Sequence, residues 1–146
     1  MDRILVGLDT SPRSAAVLSG ALDLASWSGA RMTLLRAVEM PVDVSPESYA
    51  VPLERAGSEL LREAKADLEK MAGDLPSGVV AGVRTEFGVP WEVICRIARE
   101  ESADLIVIGS HGYDIIDRML GTTAAKVVNH AEQSVLVVRG ALRSRG

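Results

Sequence analysis

The stretch that decides the fold is DLIVIGSHG at residues 104–112. Residues 105–108 are all aliphatic and three of the four are β-branched, which is typical of a strand that is covered on both faces. Gly109 and Gly112 follow, and helical spacing of apolar residues returns only after Gly121. A buried strand, a glycine-bearing loop and a helix in this order predict an α/β fold.

The same alternation extends outward along the chain. A helix is expected to begin at Ser11 and Pro12, where serine can cap and proline fits the first turn, and to stop at Gly29. A long helix is expected over residues 53–73 and a third from Pro90. The remaining strands are expected at residues 4–8, 32–38, 79–87 and 135–138.

This order of elements predicts one domain over residues 1–146. Its five strands should be mostly parallel, with helices on both faces of the sheet, because each parallel crossover needs a helix-sized connection. Residues 39–52 hold three prolines and are expected to form a loop inside the domain.

Composition narrows the class of partner. The 16 basic and 20 acidic residues give a net charge of −4, and only 3% of residues are aromatic. A nucleic-acid surface needs clustered cations and often stacking aromatics, so no nucleic-acid partner is expected. No apolar run is long enough to span a membrane. The single cysteine, Cys95, lies on an apolar helical pattern, which predicts a buried thiol, a reducing compartment and a cytoplasmic location.

Unusual residues follow two of the predicted strands. Asp9 comes directly after the first strand, and the glycine loop that ends at Gly121 comes after the fourth. Ligands of doubly wound sheets bind beyond the carboxyl ends of the strands. The helix start Gly121-Thr122-Thr123 offers free N–H groups and the positive end of a helix dipole to an anion. The residues alone leave a second interpretation open, in which the glycines only turn the chain and Thr122 only caps a helix.

Several motifs resemble those of the universal stress protein family, and together they cover essentially the whole chain. They lie at residues 4–9, 34–38, 88–90, 106–112, 120–122 and 135–139. The resemblance implies a sheet of strand order 3-2-1-4-5, a dimer and a role under stress. The ATP-binding members of that family carry a glycine loop like Gly109-x-x-Gly112, although the gap of eight residues at 113–120 is one residue shorter here.

The resemblance also implies a site for ATP or another adenine nucleotide. Asp9 would bond the ribose or the adenine side, and the backbone of Ala37 would meet the adenine. His111 either contacts this ligand or faces solvent. The implied nucleotide-binding residues are Leu8, Asp9, Ala37, Gly109, His111, Gly112, Gly121, Thr122 and Thr123.

A magnesium ion could accompany the phosphates at Asp114 and Asp117, which the simpler interpretation treats as solvated loop charges. The predicted edge strand would form the dimer, because an uncovered edge invites pairing; in the alternative interpretation a loop covers this edge. Its interface residues are Val135, Leu136, Val137 and Val138.

The predicted function is that of a dimeric sensor or signalling module rather than an enzyme. Ser110 beside His111 lacks a third orienting group, and Lys126 does not follow a phosphate-binding loop, so no catalytic residue is expected. His111 and His130 are 19 positions apart with no cysteine cluster, so apart from the magnesium ion considered above no metal ligand is expected. Two alternatives remain: a nucleotide-independent dimeric interaction module, with an unidentified protein partner, and a slow ATP hydrolase.

Trp27 and Trp91 are expected to be packing anchors near helix ends.

Overall fold

Five parallel strands form a single sheet in the order β3-β2-β1-β4-β5, which confirms the expected order. The computed structural model describes residues 1–39, 53–110 and 120–139. Its elements are β1 (Arg3–Gly7), α1 (Ser14–Ser28), β2 (Arg31–Val38), α2 (Leu53–Gly73), β3 (Val80–Phe87), α3 (Pro90–Glu100), β4 (Leu105–Gly109), α4 (Thr122–His130) and β5 (Ser134–Val138).

Two apolar layers enclose the sheet, because successive side chains of a strand point to opposite faces. Ile4 and Val6 of β1 pack with the apolar faces of α1 and α2. Leu5, between them, packs instead with α3 and α4. In the register of the sheet Val6 lies opposite Leu34 of β2 and Val107 of β4, so the centre of the sheet is aliphatic on every side. This burial on both faces explains why the central strands β1 and β4 are nearly continuous apolar runs.

Two features of α1 differ from the sequence-based expectation. The helix begins at Ser14 rather than at Pro12, and its N-cap is Arg13 with no side-chain cap bond. Ser11 is therefore not the N-cap, because a turn precedes the helix and the Ser14 amide donates to the Ser11 carbonyl at 3.2 Å. Trp27 is not a packing anchor either, since it is 82% exposed.

The end of α1 is as predicted. Gly29 is the C-cap with φ 75°, a left-handed conformation that glycine adopts without steric cost. Its amide donates to the Ala25 carbonyl at 2.9 Å.

No helix within residues 1–39, 53–110 and 120–139 is long and apolar enough to cross a bilayer.

Candidate functional site

A cavity of about 320 Å³ opens at the carboxyl ends of β1, β2 and β4. The chain leaves β1 toward β2 on one side of the sheet and leaves β4 toward β5 on the other, so the strand order reverses beside β1. Such a reversal leaves a crevice in which α/β proteins bind ligands. Seven of the nine predicted nucleotide-binding residues line this cavity: Leu8, Asp9, Ala37, Gly109, Gly121, Thr122 and Thr123. His111 and Gly112 lie outside the described residues.

One wall of the cavity is built around the Asp9 carboxylate. Its Oδ1 accepts the Ser11 amide at 2.9 Å and the Ser14 hydroxyl at 3.0 Å. The same hydroxyl also lies 2.6 Å from the Asp9 carbonyl oxygen, to which it donates. These bonds involve only one carboxylate oxygen, and no other described residue donates to Oδ2, so this oxygen can accept a hydrogen bond from a ligand.

The opposite wall is the N-terminus of α4. The N-cap is Gly121, whose backbone is extended and which makes no side-chain cap bond. Its amide donates to the Ser110 carbonyl at 2.7 Å and its carbonyl accepts the Ala125 amide at 3.0 Å. Helix geometry leaves the amides of Thr122, Thr123 and Ala124 without intrahelical acceptors. The interpretation of Thr122 as the capping residue is therefore wrong, because the N-cap is Gly121. No described residue accepts from these three amides, which suits the terminus to an anion.

The floor between these walls is apolar. Leu35, Ile94 and Ile108 line it, and all three are buried. Few polar groups thus converge on a mostly apolar pocket, which is the usual composition of a small-molecule site. The acceptor on one side and the helix dipole on the other make the cavity electrostatically asymmetric, which favours a ligand with hydroxyl donors at one end and negative charge at the other.

Sequence reasoning missed several residues of this site. Ser14 and Ser110 line the cavity and are buried, and Arg13 also contributes to its wall. Ser110 could have been found from its place directly after a buried strand. Arg36, which contacts the segment that carries Asp9, was signalled only by being a charge inside an apolar strand.

Cys95 lies away from this cavity in α3. It is buried as predicted, and this burial raises the pKa of its thiol. Reactive thiols need a lowered pKa and exposure, so the environment is that of an inert side chain. Across the residues that the structure describes, no three His, Cys, Asp or Glu side chains cluster in a way that could hold a metal ion. Asp114 and Asp117, the predicted magnesium contacts, are outside these residues.

Comparison with known proteins places this chain in a family. The model of the universal stress protein family matches residues 1–139. The chain belongs to the universal stress protein family. Universal stress protein G of Salmonella typhimurium is 35% identical over 109 residues, which cover 73% of this chain and 75% of that protein.

Solved structures of the family share the fold. The structure of universal stress protein UspA from Lactobacillus plantarum is 26% identical, covers 94% of this chain and 97% of its own, and superposes with a TM-score of 0.73. A universal stress protein solved in complex with cAMP is 26% identical and covers 96% of this chain and 98% of its own. Its TM-score is 0.63.

Proposed function

We propose that this universal stress protein binds ATP or a related adenine nucleotide in the cavity between β1 and β4. The observation that carries the proposal is that the Asp9 carboxylate and the N-terminus of α4, which has no side-chain cap among the described residues, line the same cavity. Ribose hydroxyls donate to the carboxylate, and phosphates accept from the helix amides. The cAMP complex of a related protein supports adenine nucleotides as the ligand class.

The backbone of Ala37 and the apolar floor would hold the adenine. Ala37 lies near the carboxyl end of β2 and lines the cavity. The adenine does not require an aromatic side chain, because aliphatic walls also exclude water from its faces. Backbone amides would supply most of the phosphate contacts, so an acidic chain can bind this ligand. His111 and Gly112 remain proposed contacts, as does a magnesium ion bound with the phosphates.

The proposed role is that of a cytoplasmic dimeric sensor, with no turnover of the nucleotide. β5 is an edge strand of the sheet, pairing with β4. Two copies joined through this edge would pair their backbone groups by a two-fold axis. The interface would comprise Val135, Leu136, Val137 and Val138, and the cytoplasmic location rests on the buried, unpaired thiol of Cys95.

The test is calorimetry with Mg-ATP, AMP and cAMP on protein that has been unfolded, freed of carried-over ligand and refolded. We expect saturable binding of at least one of them and a rise in unfolding temperature with its concentration. Thr122→Glu places a carboxylate at the first turn of α4 and should weaken binding by at least about tenfold, since the new charge competes with phosphate for the same amides.

Ser19→Glu is the matched control. Ser19 is exposed in α1, does not line the cavity and undergoes the same change in charge. The Ser19→Glu variant should bind nucleotide with the same affinity as the wild type. No heat and no thermal shift at millimolar nucleotide would contradict the proposal and favour a nucleotide-independent interaction module. Phosphate release above that of a denatured sample would favour a slow hydrolase instead.

A further inference from the structure

Arg36 is a charged side chain buried at the carboxyl-terminal part of β2, where it is 7% exposed. Its Nε donates to the Leu8 carbonyl at 3.2 Å, and its Nη2 donates to the Asp9 carbonyl at 3.3 Å. Its Nη1 donates to Oδ2 of Asp67 in α2 at 3.2 Å. A buried guanidinium is costly unless it is hydrogen-bonded and charge-paired, so these three contacts account for its position.

The two carbonyls belong to the segment that turns from β1 into the cavity. The Leu8 amide still donates to the Leu35 carbonyl at 2.9 Å, as in the sheet. One residue later, the Asp9 carbonyl is held only by side chains among the bonds described, those of Arg36 and Ser14. The planar fork of one guanidinium thus fixes two successive peptide groups. These peptide groups determine where the Asp9 carboxylate lies.

The third contact leads out of the site to the surface. The side chain of Asp67 is 69% exposed, whereas that of Arg36 is 8% exposed. The next residue of α2, Leu68, is fully buried in the apolar layer beneath the helix. A displacement of α2 would therefore move the carboxylate that neutralises Arg36, and with it the donors that hold the Asp9 segment.

We propose that Arg36 is a positioning residue that fixes Asp9 and couples α2 to the nucleotide site through its ion pair with Asp67. The inference rests on the proposed function, because it concerns the same cavity. Coupling between two sites is reciprocal. A change in α2 should alter nucleotide affinity, and nucleotide should in turn slow amide hydrogen exchange in α2.

Asp67→Asn tests the coupling without disturbing the core, since it removes a mostly exposed charge and keeps the shape of the side chain. The dissociation constant for Mg-ATP should rise at least about threefold. Asp74→Asn is the control, because Asp74 is exposed directly after α2 and loses the same charge. It should bind like the wild type. Arg36→Met should weaken binding further, by about tenfold or more.

A ligand-free measurement separates this inference from the proposed function. The Ser11 amide donates to Oδ1 of Asp9, so its hydrogen exchange reports the geometry of that carboxylate. Asp67→Asn should speed Ser11 exchange at least about threefold and leave the amide of Ile106, in the centre of β4, unchanged. If Asp67→Asn lowers the protection of the Ser11 amide alone and the protein binds no nucleotide, the positioning role of Arg36 is supported and the proposed ligand is refuted.

Two outcomes would overturn the inference. In the first, Asp67→Asn matches the wild type in both Ser11 exchange and nucleotide affinity. In the second, Ser11 and Ile106 lose protection together, which would show that the ion pair supports only the global stability of the fold.

Discussion

At the scale of single residues, the Asp9 carboxylate has two separable tasks. Oδ1 orders the turn by accepting from Ser11 and Ser14, and Oδ2 is the proposed acceptor for the ribose. An asparagine can keep the first task because its side-chain oxygen accepts the same two bonds. It loses the negative charge and replaces the second oxygen with a donor. A substitution can therefore distinguish the structural task from the binding task.

Asp9→Asn should weaken nucleotide binding by about tenfold, because a hydrogen bond to a charged group is lost. The free energy of unfolding should change by less than about 1 kcal/mol, since the turn keeps its bonds. Calorimetry and urea unfolding measure the two quantities. Asp23→Asn, at an exposed position of α1, is the control for charge. Equal affinity in the two variants would remove Asp9 from the site.

At the scale of elements, one carboxylate joins the amino ends of two neighbouring strands. Oδ2 of Asp104, just before β4, accepts the amides of Asp2 at 2.8 Å and Arg3 at 2.9 Å. The Asp104 amide donates in return to the Arg3 carbonyl at 2.9 Å. The bonds from these two amides hold the pKa of Asp104 below its ordinary value. The stabilisation thus requires the ionised carboxylate.

Asp104→Ala should lower the unfolding temperature at pH 7 by a few degrees. A lowered pKa in the folded state gives stability that is present above the ordinary pKa and is lost as pH falls through the folded value. The difference in unfolding temperature between wild type and variant should therefore narrow as the pH falls below the ordinary aspartate pKa of about 3.9, and it should close once the pH lies below the lowered pKa of the folded state. Calorimetric scans across this range measure it. Asp23→Ala should show no such convergence, and a gap that is constant with pH would contradict the assigned cause.

The sequence patterns that predicted these elements worked because of burial. A parallel strand covered on both faces must be aliphatic throughout, and residues 105–108 are. Ser11 is not the helix cap because its hydroxyl accepts the Arg13 amide and its carbonyl accepts the Ser14 amide, which forms a turn before the helix that periodicity does not register. The prediction that Trp27 is a packing anchor was wrong, because Trp27 lies outside the face of α1 that packs on the sheet. Its position near the end of the helix does not reveal this.

The candidate site was predictable where its chemistry lies at strand ends and helix starts. Asp9 and Gly121 occupy such positions, and both line the cavity. Arg36 was not predictable, because its partners are the carbonyl of a residue 28 positions away and a carboxylate 31 positions away. Contacts between residues so far apart in sequence depend on how β2 and α2 pack against β1, and only the folded chain determines this packing.

At the scale of the whole molecule, the proposed ligand site and the proposed dimer interface are at different places in one sheet. The cavity lies beside β1 and β4 in the middle of the sheet, whereas β5 is at the edge. α4 begins at the cavity and leads to β5 through residues 131–133. The described residues of this chain suffice to form the cavity, so we expect a monomer to retain it. Association and binding can therefore be tested independently.

Leu136→Lys should dissociate the proposed dimer. Leu136 is 37% exposed on β5, and two lysines facing each other across a two-fold axis would repel and lose apolar burial. Sedimentation at about 10 μM should show a wild-type dimer and a variant whose dissociation constant is at least about tenfold higher. The variant should keep the nucleotide affinity of the wild type. Ala81→Lys, exposed on β3 at the opposite edge, should remain dimeric. A monomeric wild type would contradict the proposed dimer, and a dimer broken by Ala81→Lys but not by Leu136→Lys would place the interface away from β5.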